Sequence, residues 1–485
     1  MVLARRGGEP PEWFRVTAGA ATSTGLSSND RPISATGAGI VALRARDVVR
    51  ISWGGKTQTL HVGAAIEQRG AFGDHSHVGT RLFINPDLSA SAVLGLANGG
   101  GTKIVGVGVQ DTASVWPVTL PAGSLVLGTA RGTGAVIYLA KSASGVGTLM
   151  LSLPGAAPKQ IDRVNSHLAE VDLPQRTQVT TTSGGQRLTH WLTLPSGGGR
   201  APLVVLPYPG WSRGDGPPPP LDASSFLSYT NAALLAAAGY AVLEPSLPTE
   251  SAVDRERTDF GSLGTLTEAA RTPSDFAREA FLDTLTATVL AAVDAAEATG
   301  RVDPAALAIY GHSYGAYAAV GIATRTERFR AVIASAGVYN LLGAYASMFV
   351  RDTPEVGLPT GMFSWFEGGQ AGLGLPPWRE PGRYVARSPY FSVDRLKSRL
   401  LLIHGESDFI PVAEAERLLM AMHRLGRDAL LVRYAGEGHS LASPANIRDQ
   451  WQRILEFLGP LSPRKPDRFG KRDDPVPDGG AQSPQ

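Results

Sequence analysis

The chain contains no cysteine. Disulfides and thiolate chemistry are therefore excluded, and nothing in the sequence fixes a redox compartment. Long apolar runs are also missing: none approaches the ~18 residues that a membrane-spanning helix requires. The best candidate, Leu285 to Ala296, is interrupted by Thr286, Thr288 and Asp294 and reads as an amphipathic helix. No membrane span is expected. Neither sign of charge is in excess. The 45 basic and 43 acidic residues leave a net +2, so no bulk field draws the protein to nucleic acid. The first residues, Met1 to Glu9, lack the apolar core of a signal peptide, which points to a cytoplasmic location. What remains is a chain of 485 residues, 43% hydrophobic, long enough for two or three domains with their own cores.

The texture changes once, near residue 175. Before it, short β-like runs such as Val48 to Trp53, Thr80 to Ile84 and Ala135 to Leu139 alternate with Gly, Ser, Asn and Asp turns. A hairpin is legible over 135–153, turning at Ser142 to Gly145. After it, a hairpin at 178–194 leads into strands that alternate with helices, the pattern of a mostly parallel sheet. Helices are expected at Phe226 to Ala238, Asp275 to Thr299, Val412 to Leu425 and Ile447 to Leu458. Strands are expected at Tyr240 to Glu244 and Ala331 to Ala336. The segment from Ser462 is rich in Pro, Gly and charge and reads as disordered.

The pentapeptide Gly311-His312-Ser313-Tyr314-Gly315 follows the apolar run Leu307 to Tyr310 and precedes the small-residue run Ala316 to Ala323. Strand, sharp turn and helix are the setting of a nucleophile elbow, which lifts the serine hydroxyl clear of the sheet. Glycines belong there because side chains would collide where strand and helix approach. A serine alone is a weak nucleophile, so an acid and a base should follow in that order. Asp408 lies just past the apolar strand Leu400 to Ile403, and His439 lies on a Gly-rich loop past the strand Leu430 to Tyr434. His439 would shuttle the Ser313 proton, and Asp408 would fix the imidazole tautomer. Glu406 is the rival acid. His312 reads as the variable residue of the elbow, His404 as a strand-end packing residue and His423 as solvated. The Tyr314 N–H, just after the nucleophile, supplies one oxyanion donor. The segment Ser335 to Asn340 follows a strand near the elbow, so Val338 and Tyr339, with Phe349, would wall an apolar specificity pocket. The cluster Asp74-His75-Ser76-His77 reads as a turn with solvated histidines, because no further ligand cluster accompanies it. No cofactor and no metal is expected.

Four segments, Tyr310 to Ala319, Arg387 to Phe391, Leu402 to Asp408 and Tyr434 to His439, together resemble the prolyl oligopeptidase family of serine peptidases, of the acylaminoacyl-peptidase and dipeptidyl-peptidase kind. The resemblance covers roughly residues 176 to 460. It implies a C-terminal α/β-hydrolase domain, a preceding β-propeller that restricts access, and Ser313, Asp408 and His439 as the triad. It also implies that Tyr208, on the loop after the strand Leu203 to Leu206, gives the second oxyanion donor through its hydroxyl. The expected organisation is a disordered tail at 1–13, a β-rich, partial propeller-like domain at 14–175, an α/β-hydrolase domain at 176–461 and a disordered tail at 462–485.

A propeller blade takes about 40 residues, so the first domain holds around four blades. The family's propellers are larger, and Asn165 to Val171 resembles the join between last blade and hydrolase, so the first blades are expected to be missing. The dipeptidyl-peptidase branch holds a free amino terminus with paired glutamates, yet no Glu-Glu dipeptide occurs here. The prolyl-specific branch has an arginine two residues after the catalytic aspartate, where this chain has Ile410. Three readings stand: a serine peptidase acting on oligopeptides, a carboxylesterase using the same triad on small esters, and a catalytically idle binding module, against which the intact triad argues.

Overall fold

The computed structural model describes residues 161–216, 229–248, 280–345, 347, 365–367 and 370–461, and before residue 161 mainly the strands and their tight turns. The chain divides into two compact units that part between Asp172 and Leu173, close to the change of texture in the sequence.

The first unit is strand-rich, consistent with a β-propeller-like domain. Its strands form four antiparallel sheets, each built from consecutive strands. The first contains β1 (Val2–Ala4), β2 (Glu12–Thr17) and β3 (Ala20–Ser27). The second contains β4 (Arg31–Ala35), β5 (Gly39–Arg44), β6 (Asp47–Ser52) and β7 (Thr57–His61). The third contains β8 (Ala65–Gln68), β9 (Ala92–Asn98), β10 (Gly101–Val107) and β11 (Val115–Thr119). The fourth contains β12 (Leu125–Thr129), β13 (Val136–Lys141), β14 (Gly147–Ser152) and β15 (Lys159–Val164). Period-2 alternation is clear in β13, where Val136 and Tyr138 are buried together with Leu120 while Ile137 is exposed. Within the segment 1–13, Val2 and Leu3 pair with Phe14 and Trp13 as strand β1. The cluster at 74–77, Phe349 and the segment from Ser462 lie outside the described residues.

The second unit holds one eight-stranded sheet, formed by β16 (Gln175–Ser183), β17 (Gln186–Leu194), β18 (Ala201–Val205), β19 (Ala241–Glu244), β20 (Val302–His312), β21 (Ala331–Ser335), β22 (Arg399–Gly405) and β23 (Ala429–Tyr434). Their order is β16-β17-β19-β18-β20-β21-β22-β23. β16 and β17 form the antiparallel hairpin read from the sequence, and β18 to β23 run parallel to one another. Central strands such as Ala201–Val205 are buried throughout, because helices cover both faces.

The alternation of side chains assigns each strand residue to one of two cores. Leu203, Val205, Leu307, Ile309, Val332, Ala334, Leu400 and Leu402 pack with α2 (Phe281–Glu297) and α3 (Tyr314–Ala323). Val204, Ala308, Tyr310, Ala331, Ile333, Leu401 and Ile403 face the other way, against Leu235 and the last helix, Pro444–Leu458. Among the helices, α1 (Ala232–Ala237) starts later than the sequence suggested, with the Asn231 side chain capping the Leu234 N–H at 2.8 Å. Further along come α4 (Leu341–Ala344), α5 (Pro381–Arg387), α6 (Ala413–Arg424) and α7 (Pro444–Leu458). Among the described residues no helix is long and apolar enough to cross a membrane.

Around β18 the order of the sheet reverses, since β19 lies on one side and β20 on the other. A crevice opens at the carboxyl ends of strands at such a switch. Trp451 of α7 anchors the layer behind it, edge-on to Tyr310 of β20 with centroids 6.4 Å apart. Trp451→Ala is expected to cost about 3–5 kcal/mol, read as a shift of the second unit's transition in urea denaturation.

Candidate active site

Five parallel strands end at one edge of the sheet, and each hands a loop to the same region. Ser313 follows β20 directly. Tyr208 lies three residues beyond β18, Val338 and Tyr339 just beyond β21, Asp408 beyond β22 and His439 beyond β23.

The turn at Ser313 is sharp. Its φ of 57° and ψ of −122° are strained for a residue with a Cβ. The flanking glycines make the turn possible. A Cβ on Gly311 would lie 2.0 Å from the Gly315 carbonyl oxygen, and one on Gly315 would lie 2.6 Å from that of Pro207. Gly315 therefore also lets the Tyr208 loop close onto the start of α3. Every residue from Ala306 to Thr324 is buried except Ser313. The hydroxyl is lifted out of an otherwise enclosed strand–helix unit. The Tyr314 N–H belongs to the first turn of α3, at the positive end of the helix dipole.

Asp408 is 2% exposed. Its two carboxylate oxygens each lie 3.0 Å from Nδ1 of His439. The Ile410 N–H donates to Oδ1 at 2.8 Å. His404 Nε2 lies 2.9 Å from the Ile410 carbonyl and 3.3 Å from Asp408 Oδ2. Burial lowers the His404 pKa, against the opposing pull of Asp408. His404 therefore acts as a neutral hydrogen-bonding neighbour, not a countercharge. His404 does pack at the strand end, and it also lies against the Asp408 carboxylate. Glu406 is exposed and bonded to Arg433 Nε at 3.1 Å, so Asp408 is the carboxylate at His439. His423 is exposed on α6.

The loop bearing His439 is held in several places. The buried Glu437 carboxylate accepts from the N–H groups of Ala442 and Ser443 at 2.7 and 3.1 Å and from Asn446 Nδ2 at 2.6 Å. Ser440 Oγ donates to the Tyr229 hydroxyl at 2.6 Å. The His439 ring sits against two others, Phe409 at 4.4 Å and His312 at 4.8 Å between centroids. His312 is thus more than the variable residue of the elbow. A pentapeptide motif leaves that position open, so only its partner in space reveals it.

Tyr208 stands beside the elbow. Burial raises its pKa, while hydrogen bonds with Gln370 and Ser313 pull it partway back. Val338 and Tyr339 are buried, at 2% and 1% exposure, within the core beneath α3 and α6. The Tyr339 N–H donates to the buried Glu414 carboxylate at 2.9 Å. The aromatic surface near Tyr208 comes instead from Trp211, 46% exposed and 4.7 Å away between centroids, and from Trp365, edge-on to Tyr314 at 5.9 Å. Neither tryptophan, nor Gln370, had a sequence signal beyond residue type. Among the described residues no group of three or more His, Asp or Glu is placed to hold a metal.

A largely parallel sheet covered by helices, with a strained serine and a buried Asp–His pair on loops at its carboxyl edge, is the architecture of an α/β hydrolase. Residues 283–461 match the family model for Peptidase S9, so the chain carries a prolyl oligopeptidase family domain. The chain is 27% identical over 312 residues to dipeptidyl-peptidase 5 of Porphyromonas endodontalis, covering 62% of this chain and 39% of that protein. It is 26% identical over 277 residues to the probable chloroplastic glutamyl endopeptidase of Arabidopsis thaliana, covering 54% of this chain and 24% of that protein. The chain thus spans well under half the length of these relatives. Acylaminoacyl peptidase of Pyrococcus horikoshii superposes with a TM-score of 0.57 at 16% identity, covering 98% of this chain and 70% of that one. A puromycin-hydrolyzing peptidase of Mycobacterium tuberculosis gives 0.56 at 17% identity, covering 88% and 60%. These two show the shared fold, in both the hydrolase unit and the strand-rich unit.

The end of β22 and the loop after β23 meet backbone to backbone. A Cβ on Gly405 would lie 2.2 Å from the Gly438 carbonyl oxygen and 2.5 Å from that of Glu437. Gly405→Ala is therefore expected to destabilise the second unit by about 1–3 kcal/mol in urea denaturation. Gly198→Ala, which meets nothing within 4 Å, should stay within about 0.5 kcal/mol of the unsubstituted protein.

Proposed function

We propose that the protein is a serine peptidase that cleaves peptide bonds of oligopeptides through an acyl-enzyme on Ser313. The observation that carries this reading is an accessible serine in a strained turn, whose neighbour His312 has its ring 4.8 Å from that of His439 in the Asp408–His439 pair. The relatives are a dipeptidyl-peptidase and a probable glutamyl endopeptidase, which supports amide bonds over small esters as the substrate class.

The chemistry follows from the groups in place. With Nδ1–H donating to Asp408, the Nε2 of His439 is left as an acceptor. It takes the Ser313 proton as Oγ attacks the scissile carbonyl carbon. The carbonyl π electrons become an oxyanion, which takes hydrogen bonds from the Tyr208 hydroxyl and the Tyr314 N–H. His439 gives its proton to the leaving amine as the C–N bond breaks. A water then repeats the sequence against the ester, with His439 again as base, and frees the acid product. Asp408 stabilises the imidazolium in both halves. Being buried, Val338 and Tyr339 would act as backing beneath the specificity pocket, not as its surface.

Ser313→Ala should remove on the order of 10⁶-fold in turnover with circular dichroism unchanged, and a fluorophosphonate should label the unsubstituted protein alone. The assay sets peptide amides beside p-nitrophenyl esters. Hydrolysis of esters without any amide would replace the peptidase reading by an esterase one.

Asp408→Asn should lose about 10⁴-fold in turnover, because the amide favours the wrong imidazole tautomer. Glu406→Gln, at an exposed surface pair, should leave turnover within about twofold. The reverse order of effects would displace Asp408 as the acid.

A further inference from the structure

A tyrosine hydroxyl is a useful oxyanion donor only when its single proton points at the oxyanion. Rotation about the C–O bond offers other directions, so something must choose. Gln370 lies against Tyr208, with Nε2 3.2 Å from the hydroxyl oxygen. The orientation of this amide is settled by a second partner. Trp365 Nε1 lies 3.1 Å from Gln370 Oε1. An indole N–H donates and never accepts, so the amide oxygen must face Trp365 and the NH₂ must face Tyr208. The Tyr208 oxygen is therefore an acceptor toward Gln370, and its own proton is excluded from that side.

The segment that carries Gln370 is well anchored. The Ala371 N–H donates to the Trp365 carbonyl at 3.1 Å, Leu373 to Phe366 at 2.8 Å and Gly374 to Glu367 at 2.9 Å. Ala371 and Leu373 are 1% and 0% exposed, inside the same core that receives α3. Trp365 is edge-on to Tyr314 at 5.9 Å, and Tyr208 is edge-on to the same ring at 6.4 Å. The chain Trp365–Gln370–Tyr208 is thus packed around the residue that follows the nucleophile.

We propose that Gln370 is a positioning residue: it donates to the Tyr208 oxygen, turns the phenolic proton toward the oxyanion at Ser313, and is itself locked by Trp365. This rests on the reading of Tyr208 as an oxyanion donor. Two effects combine. The accepted hydrogen bond restricts the hydroxyl rotor before substrate arrives, so no reorganisation is needed in the transition state. It also polarises the O–H bond, which makes Tyr208 a stronger donor. Sequence reading missed Gln370 because it lies 162 residues from Tyr208, in a stretch without periodicity or motif.

The test exploits a near-isosteric reversal, made in the full chain and read with a chromogenic peptide amide. In Gln370→Glu the carboxylate still accepts from Trp365 but can no longer donate to Tyr208. It accepts the phenolic proton instead and draws it away from the oxyanion. The expected result is a loss of about 10²-fold in kcat, with KM within about twofold and the melting temperature little changed. Gln370→Met removes the donor without capturing the proton, and should lose only about tenfold in kcat. In a Tyr208→Phe background, which should itself lose about 10²–10³-fold, neither substitution should lower kcat further. An unaltered kcat in Gln370→Glu, with Tyr208→Phe impaired, overturns the relay and spares the oxyanion reading. Equal losses with and without the Tyr208 hydroxyl overturn it in favour of packing. A Tyr208→Phe variant with normal kcat removes the oxyanion reading and the relay together.

Discussion

The close approach between β20 and α3 is the constraint on which the rest depends. Strand and helix meet there at a spacing that leaves no room for a Cβ on Gly311. The intervening residue is forced to a positive φ, and a strained backbone persists only where its surroundings over-determine it. Here they do. The Ser313 N–H donates to the Ser335 carbonyl of β21, and the Ser313 carbonyl accepts from Ala316 and Tyr317 in α3. One residue is tied to a neighbouring strand and to its own helix at once. The Tyr208 loop, the Tyr314 N–H and the exposure of the serine all follow from that geometry.

Charge is handled sparingly around this turn. Of the buried carboxylates in the region, Asp408 and Glu437 are met by backbone N–H groups and neutral or imidazole side chains, while Glu414 takes two backbone N–H groups on one oxygen and the Arg417 guanidinium on the other. Glu414, whose pKa is raised by burial against those same hydrogen bonds, ties the loop after β21 to α6. Glu437 ties the loop after β23 to the start of α7. The loops that must hold position are therefore stitched by carboxylates that cross between elements. Ion pairs such as Arg433–Glu406 and Arg453–Asp449 lie at the surface, where they are worth little.

The sequence was most legible where a chemical role coincides with a local pattern. The turn needs glycines two residues either side of Ser313, and Asp408 and His439 each follow an apolar strand, so the places of all three at the carboxyl edge could be read from short windows. From β18 onward, apolar strands alternating with helical segments gave the parallel sheet for the same reason. What was not legible depends on contacts between distant segments. Residue type alone could not tell that Tyr339 turns into the core while Trp211 stays near the surface, since both are aromatic residues on loops after strands. The pairing of Val2 and Leu3 with Trp13 and Phe14 was hidden because a three-residue strand has too few positions to show a period. His312 and Gln370 matter through their neighbours in space, and no window of the sequence contains those neighbours.

The bonds at the carboxyl edge are long-range in sequence. Asp408 meets His439 across 31 residues, Gln370 meets Tyr208 across 162 and Ser440 meets Tyr229 across 211. Contacts of this kind form only after much loop entropy has been surrendered. The strained turn at Ser313 is tied to β21, and Asp408 and His439 hang from β22 and β23. Their arrangement is thus a property of the closed sheet and of no shorter piece of it.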